Sequence, residues 1–337
     1  MRILFVDIDF HLKTKSADFL LNILRSAFDV ETHYYHDLYH ADIPREKIDR
    51  ADIIIVWQSM LGRKDFVING KPCIYAPMYD CDWGSTAQWK RIGASGAHII
   101  AFCNAIDKFA AAGHVPKENI LDLRYACNPA SFNGYEGDPD VAIIWERGLF
   151  GLAEFKRLFP QNFFKKLIIM RRPEPGRTYA PISTEDKAAY NIELHENEFL
   201  PEAEYLQLLR EPGVYLAPRP KEGIGMSFLE ALAMGKCVIA HDDASMNEYI
   251  TNGENGFIRN FNVIGAPITK ADILSVLNRV KASAAAQYTR WLSDKEKIIP
   301  FVKNAIARPP VHIGGSMDFI RRGLYILEAL KSRIVHH

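Results

Sequence analysis

Residues 214–240 restrict the fold of this chain more than any other stretch. Val214-Tyr215-Leu216-Ala217 and Cys237-Val238-Ile239-Ala240 are short apolar runs that read as buried strands. Between them, Pro220-Lys221-Glu222-Gly223-Ile224-Gly225 forms a glycine-containing turn that opens into a short helix ending near Gly235. A strand–loop–helix–strand unit of this length belongs to a parallel α/β sheet. Its loop directs several backbone N–H groups and the positive end of a helix at one point, which suits a phosphate. Two acids mark the unit, Glu222 on the loop and Glu230 eight positions later on the helix.

The residue types also allow a plainer account of both acids. Ser227-Phe228-Leu229-Glu230 fits a capping box, in which Ser227 and Glu230 satisfy free helix N–H groups. Glu222 then becomes a solvated acid favoured by the helix dipole. The dinucleotide-binding pattern G-x-G-x-x-G fails, because Phe228 stands where a third glycine would follow Gly223 and Gly225.

A longer match adds to this reading. The segment Glu222 to Ala240, with Asn247-Glu248-Tyr249-Ile250 and Asn252-Gly253-Glu254-Asn255-Gly256-Phe257-Ile258, resembles the donor-binding half of family 4-like retaining glycosyltransferases, with their E-x7-E motif. The resemblance implies the α/β GT-B fold: two Rossmann-like doubly wound domains facing a central cleft, with a C-terminal helix crossing back to the N-terminal domain. It implies a metal-independent, hexosyltransferase-type enzyme without a cofactor. Such an enzyme moves a sugar from a nucleotide-diphosphate sugar to a glycan or lipid-linked acceptor, as in surface polysaccharide biosynthesis. By motif position, Glu222 would hold sugar hydroxyls near the reacting carbon and Glu230 the ribose hydroxyls. Gly223, Ile224, Gly225, Met226 and Ser227 would line the diphosphate, and Phe199, in the stretch 195–204, would lie along the base. A nucleotide-sugar epimerase, an inverting transferase and a catalytically degenerate scaffold subunit are the alternatives.

The diphosphate needs cations. Arg147, after the run Val141 to Trp145, stands where look-alikes carry the first. Look-alikes have a lysine about six residues later, but here that position is Ala153. Arg171, Arg172, Arg177, Arg219 and Lys221 are the candidates for the second cation, each with a surface ion-pair role as its plainer reading.

The acceptor side departs from the family pattern. The loop after the first strand, Asp9 to Lys15, has no glycine. The strand Lys71 to Pro77 leads into Met78-Tyr79-Asp80-Cys81-Asp82-Trp83, at the strand end where open α/β sheets bind ligands. Relatives place a His-Asp-like pair there. This chain offers Tyr79, Asp80 and Asp82 there, the two aspartates as catalytic candidates or as turn-stabilising residues, and no histidine.

With 337 residues, the chain suits two domains of about 150 residues each. Asn128 to Asp140 collects Pro, Asn, Gly and Asp, which is linker chemistry. The expected division is 1–133 for the acceptor domain, 134–310 for the donor domain and 311–337 for the returning helix. Lys plus Arg and Asp plus Glu balance at 41 each, which argues against a nucleic-acid partner. Five scattered cysteines without C-x-x-C spacing favour reduced thiols in a cytoplasmic protein. The N-terminus meets Asp7 too early for a signal peptide, and no apolar run reaches membrane-spanning length. A peripheral contact with the inner membrane face completes the expected partners. Phe163-Phe164-Lys165-Lys166 allows such a contact, although phenylalanines packing a helix on a sheet account for it equally. The histidines and tyrosines of His33 to His40 read as surface residues rather than a metal site.

Overall fold

The computed structural model describes residues 1–36, 43–58, 71–80, 86–147, 150–171, 179–196, 200–217, 219–263 and 265–308. Two six-stranded sheets organise them. The first contains β1 (Arg2–Ile8), β2 (Asp29–Tyr35), β3 (Ile53–Gln58), β4 (Cys73–Pro77), β5 (His98–Ala101) and β6 (Ile120–Asp122). The second contains β7 (Asp138–Glu146), β8 (Lys166–Arg171), β9 (Ile192–His195), β10 (Pro212–Leu216), β11 (Cys237–His241) and β12 (Gly256–Arg259). Every strand pairing is parallel. The reason is visible in runs such as Ile53-Ile54-Ile55-Val56, all at 0% exposure, because β-branched residues suit strands covered on both faces.

The strand orders place the crevices. The first sheet runs β2-β1-β3-β4-β5-β6 and the second β12-β11-β10-β7-β8-β9. The second is the 3-2-1-4-5-6 order of dinucleotide-binding folds, counting β7 as the first strand. In each sheet the winding reverses beside the first strand, between β1 and β3 and between β7 and β10. Ligands of open α/β sheets bind outside the carboxyl ends at such points. The stretch 214–240 therefore supplies one wall of the second crevice.

The tail stitches the halves together. The amphipathic pattern of Ile273, Val276, Leu277 and Val280 divides at Asn278 into helices Lys270–Leu277 and Val280–Lys295. Trp291 on the second helix meets Phe19 and Tyr125 of the first half, with ring centroids 5.7 and 5.1 Å apart. Helix Ile298–Ala307 then lies on the first sheet, against β4 and helix Asp18–Arg25. There Phe301 meets the buried His98 edge-on at 5.4 Å, and Arg308 bonds Asn119. The helix expected over 311–337 lies outside the described residues.

Lys236 fixes the linker. Its side chain is wholly buried, and Nζ donates to the carbonyls of Tyr135 at 2.7 Å and Pro212 at 2.6 Å. Burial pushes its pKa down to about 7. Phe164 is buried and Phe163 stacks among Phe159 and Phe164, so this aromatic run packs the second half rather than standing out from it. No helix among the described residues is long and apolar enough to cross a membrane.

Candidate functional site

The carboxyl edges of the two sheets meet. From the second sheet come the end of β7, with Glu146 and Arg147, and the loop after β10, with Arg219 to Gly225. From the first come Met78, Tyr79 and Asp80 at the end of β4, and Asn104 beyond β5. Gly223 sits so close to the β4 edge that a side-chain carbon there would lie 2.6 Å from Met78 Cβ and 2.9 Å from Asp80 Oδ1. Only a residue without Cβ permits this approach.

The helix after the loop starts two residues earlier than a Ser227 cap implies. It spans Met226–Ala233, and its N-cap is Gly225 at φ 76° and ψ 53°. That left-handed conformation is cheap only for glycine, which has no side chain of its own to cap the first N–H groups. Ser227 lies within the first turn, and Glu230 is one turn further along. The reading of Ser227 as the N-cap of a capping box is therefore corrected: the N-cap is Gly225.

The acids and Arg147 converge. Tyr215 on β10 is wholly buried beneath the loop. Burial raises its hydroxyl pKa; the charges of Glu222 and Glu230 raise it further, and that of Arg147 lowers it. Glu222 is buried at 6% exposure, and Glu230 is half-buried. Glu230 also acts on Tyr125 and Cys127 of the first half, whose pKa values burial chiefly raises. Both acids thus stand at the gap between the halves. Arg147 rests over the Trp145 ring at 5.1 Å and acts on Asp80.

The other cations divide. Arg219 donates from Nη1 to Asp80 Oδ2 at 2.7 Å, an ion pair that bridges the halves. Burial raises the Asp80 pKa, and Arg219 and then Arg147 oppose it. Lys221 lies 5.1 Å above the Tyr79 ring, at the same gap. Arg171 is withdrawn from the site. It is buried, bonds Glu146, and donates to Glu196 at 2.9 Å and to the Ala180 carbonyl at 2.8 Å. Lys156 pairs with Asp186 at 2.7 Å near the surface. Asp82, Arg172, Arg177 and Phe199 lie outside the described residues.

Further polar groups stand at the strand ends. Tyr79 donates to Asp243 Oδ1 at 3.2 Å, and burial, followed by Asp243, pushes its hydroxyl up to about 12. Glu248 accepts from Asn104 N–H at 2.9 Å and from Arg124 Nε at 2.7 Å. At the end of β1, Asp7 is buried at 1% exposure, with Oδ1 2.6 Å from His11 Nδ1. Burial raises the Asp7 pKa, against the pull of His11. His11 opens the single turn His11–Thr14, in the loop where look-alikes carry glycine. Among the described residues, no group of three or more His, Cys, Asp or Glu could hold a metal ion.

Residues 185–271 match the family described as Glycosyl transferases group 1. A comparison with curated protein sequences gives no match. Solved structures with the same architecture include sucrose-phosphate synthase from Thermosynechococcus elongatus, with a TM-score of 0.63 at 12% identity over 91% of this chain and 99% of that one. Anabaena Alr3699/HepE in complex with UDP and glucose gives 0.57 at 12% identity, over 90% and 100% of the two chains. A glycosyltransferase from Rickettsia africae gives 0.56 at 11% identity, over 91% and 99%. The chain has the GT-B fold of these glycosyltransferases, two Rossmann-like halves facing one another, and across residues 185–271 its sequence is similar to the group 1 family.

Proposed function

We infer that this protein is a retaining glycosyltransferase that takes a nucleotide-diphosphate sugar as donor and a glycan or lipid-linked hydroxyl as acceptor. One observation carries the reading: the loop bearing the buried Glu222 is brought by Gly223 against Met78 and Asp80 of the first half, just ahead of a helix whose N-cap is the left-handed Gly225. Departure of a nucleoside diphosphate builds negative charge, and preorganised donors placed where that charge develops lower the barrier. Here they are the N–H groups of Gly223, Ile224, Gly225, Met226 and Ser227, with the Arg147 guanidinium and Lys221 beside them. Glu222 holds sugar hydroxyls near the oxocarbenium-like carbon, and Glu230 the ribose hydroxyls. Asp80, held by Arg219, faces the acceptor; the roles of Asp82 towards the acceptor and of Arg172 and Phe199 towards the donor rest on the sequence resemblance alone. The reaction uses no metal. Surface polysaccharide or glycolipid assembly at the cytoplasmic side of the inner membrane is the setting this chemistry fits.

A panel of nucleotide sugars, beginning with UDP-glucose, tests this reading in excess EDTA. Turnover with the α configuration kept in the product, and a roughly 100-fold loss in Glu222→Gln with unchanged UDP affinity, is the expected result. Restoration of activity only by a divalent ion would contradict the metal-free reading, and absence of turnover on every donor would favour a scaffold role.

The Asp7–His11 pair favours a second reading, an inverting transferase. A buried carboxylate on Nδ1 fixes the imidazole so that Nε2 can take a proton from an acceptor hydroxyl. The acceptor oxygen would then bond the anomeric carbon as the carbon–phosphate oxygen bond breaks, with its electron pair leaving on the diphosphate. The same product analysis separates the readings, because a β-linked product from an α-linked donor identifies inversion.

A further inference from the structure

Ser245 has a backbone conformation that no local rule explains. Its φ is 72° and ψ −66°, a positive-φ γ-turn geometry that is rare and strained for a residue with Cβ. It is also wholly buried. Such strain persists only where surrounding contacts over-determine it, and here those contacts run in two directions.

Towards the loop, Ser245 Oγ lies 2.6 Å from the Glu222 carbonyl oxygen and 2.9 Å from that of Gly223, so one hydroxyl proton is shared between consecutive carbonyls. Ser245 is also the N-cap of the short helix Met246–Tyr249, and its N–H reaches Glu248 Oε1 of that helix at 3.3 Å. The same carboxylate accepts the Asn104 N–H and pairs with the Arg124 guanidinium. Arg124 and Glu248 are each 9% exposed at the side chain, so the pair is shielded from water and salt. Two residues before Ser245, Asp243 accepts from the Tyr79 hydroxyl of the first half. The segment 243–248 is therefore held by the first half at both ends and grips the Glu222 backbone in its middle.

We propose that Ser245 is a positioning residue that makes the placement of Glu222 depend on contact between the two halves. The strained turn aims the hydroxyl at the loop only while Glu248 is engaged by Asn104 and Arg124. Opening of the halves releases the grip, and closure sets the acid at the sugar. The role in turnover rests on the glycosyl-transfer reading, whereas the mechanical link does not.

Hydrogen–deuterium exchange of the whole chain separates the two. Ser245→Gly removes the hydroxyl but accepts the positive φ, so it folds without strain; Glu248→Gln removes the charge that pairs with Arg124 and keeps an oxygen for the Ser245 N–H. Amides of residues 223–227 are expected to exchange at least about tenfold faster in both variants, while those of β7 and β8 keep their wild-type rates. With UDP-glucose as donor, kcat falls about tenfold or more in both variants and UDP affinity stays within about threefold. Unchanged loop exchange in either variant overturns the proposal, as does uniform acceleration across the second sheet. Faster loop exchange in a protein that binds neither UDP nor any nucleotide sugar supports the link and overturns the transferase reading instead.

Discussion

Gly225, not Ser227, is the N-cap of helix Met226–Ala233, and the Glu230 charge acts on Tyr125 and Cys127 of the first half. Glu230→Gln is therefore expected to weaken donor binding without unfolding the helix. A roughly tenfold rise in donor KM, about 1.4 kcal/mol, with a stability change within about 0.5 kcal/mol, would show this in kinetics and thermal melts. A fall in melting temperature at unchanged KM would restore the capping role. The acids and glycines of this site were legible because they crowd one loop between two apolar runs. Ser245, Arg124 and the Asp7–His11 pair were not. A positive φ at serine leaves no periodic trace, and Arg124 meets Glu248 across 124 positions of sequence. Asp7 and His11 are only four apart, but a strand end separates them from any helical spacing that would pair them.

Strands were the most legible elements, because parallel strands buried on both faces write themselves as unbroken apolar runs. Helix starts were less so. The left-handed glycine before Met226 and the break at Asn278 depend on backbone turns that side-chain periodicity does not encode. The join of β5 to helix Ile298–Ala307 has a pH consequence. His98 is buried there, and burial, then the Arg308 charge, pushes its pKa down to about 4. The folded chain thus keeps His98 neutral down to about pH 4, whereas the unfolded chain protonates it near pH 6.5. Its contribution is complete above pH 6.5 and is lost as pH falls from there to about 4, by roughly 3 kcal/mol. His98→Leu should flatten this part of the stability profile, measured by urea unfolding at pH 4.5 and 7. An unchanged slope would show that other groups set it.

The whole molecule works as two sheets whose carboxyl edges approach to side-chain distance, with Gly223 at the tightest point. Gly223→Ala puts a methyl group 2.6 Å from Met78 Cβ and so holds the halves apart, although the loop itself tolerates alanine. The variant is expected to keep its fold, scatter X-rays as a more open particle and lose about 100-fold in turnover, as misplacement by about an ångström can cost. A wild-type scattering curve with wild-type turnover would refute this.

The returning tail has a further consequence for recombination. Trp291, Phe301 and Arg308 belong by sequence to the later part of the chain but lodge in the earlier part. A chimaera that grafts a foreign donor half onto this acceptor half must therefore inherit residues 298–308 from the acceptor parent. Relatives that trade specificities by exchanging halves would have to carry two crossover points, one in the linker and one before the helix that corresponds to Ile298–Ala307.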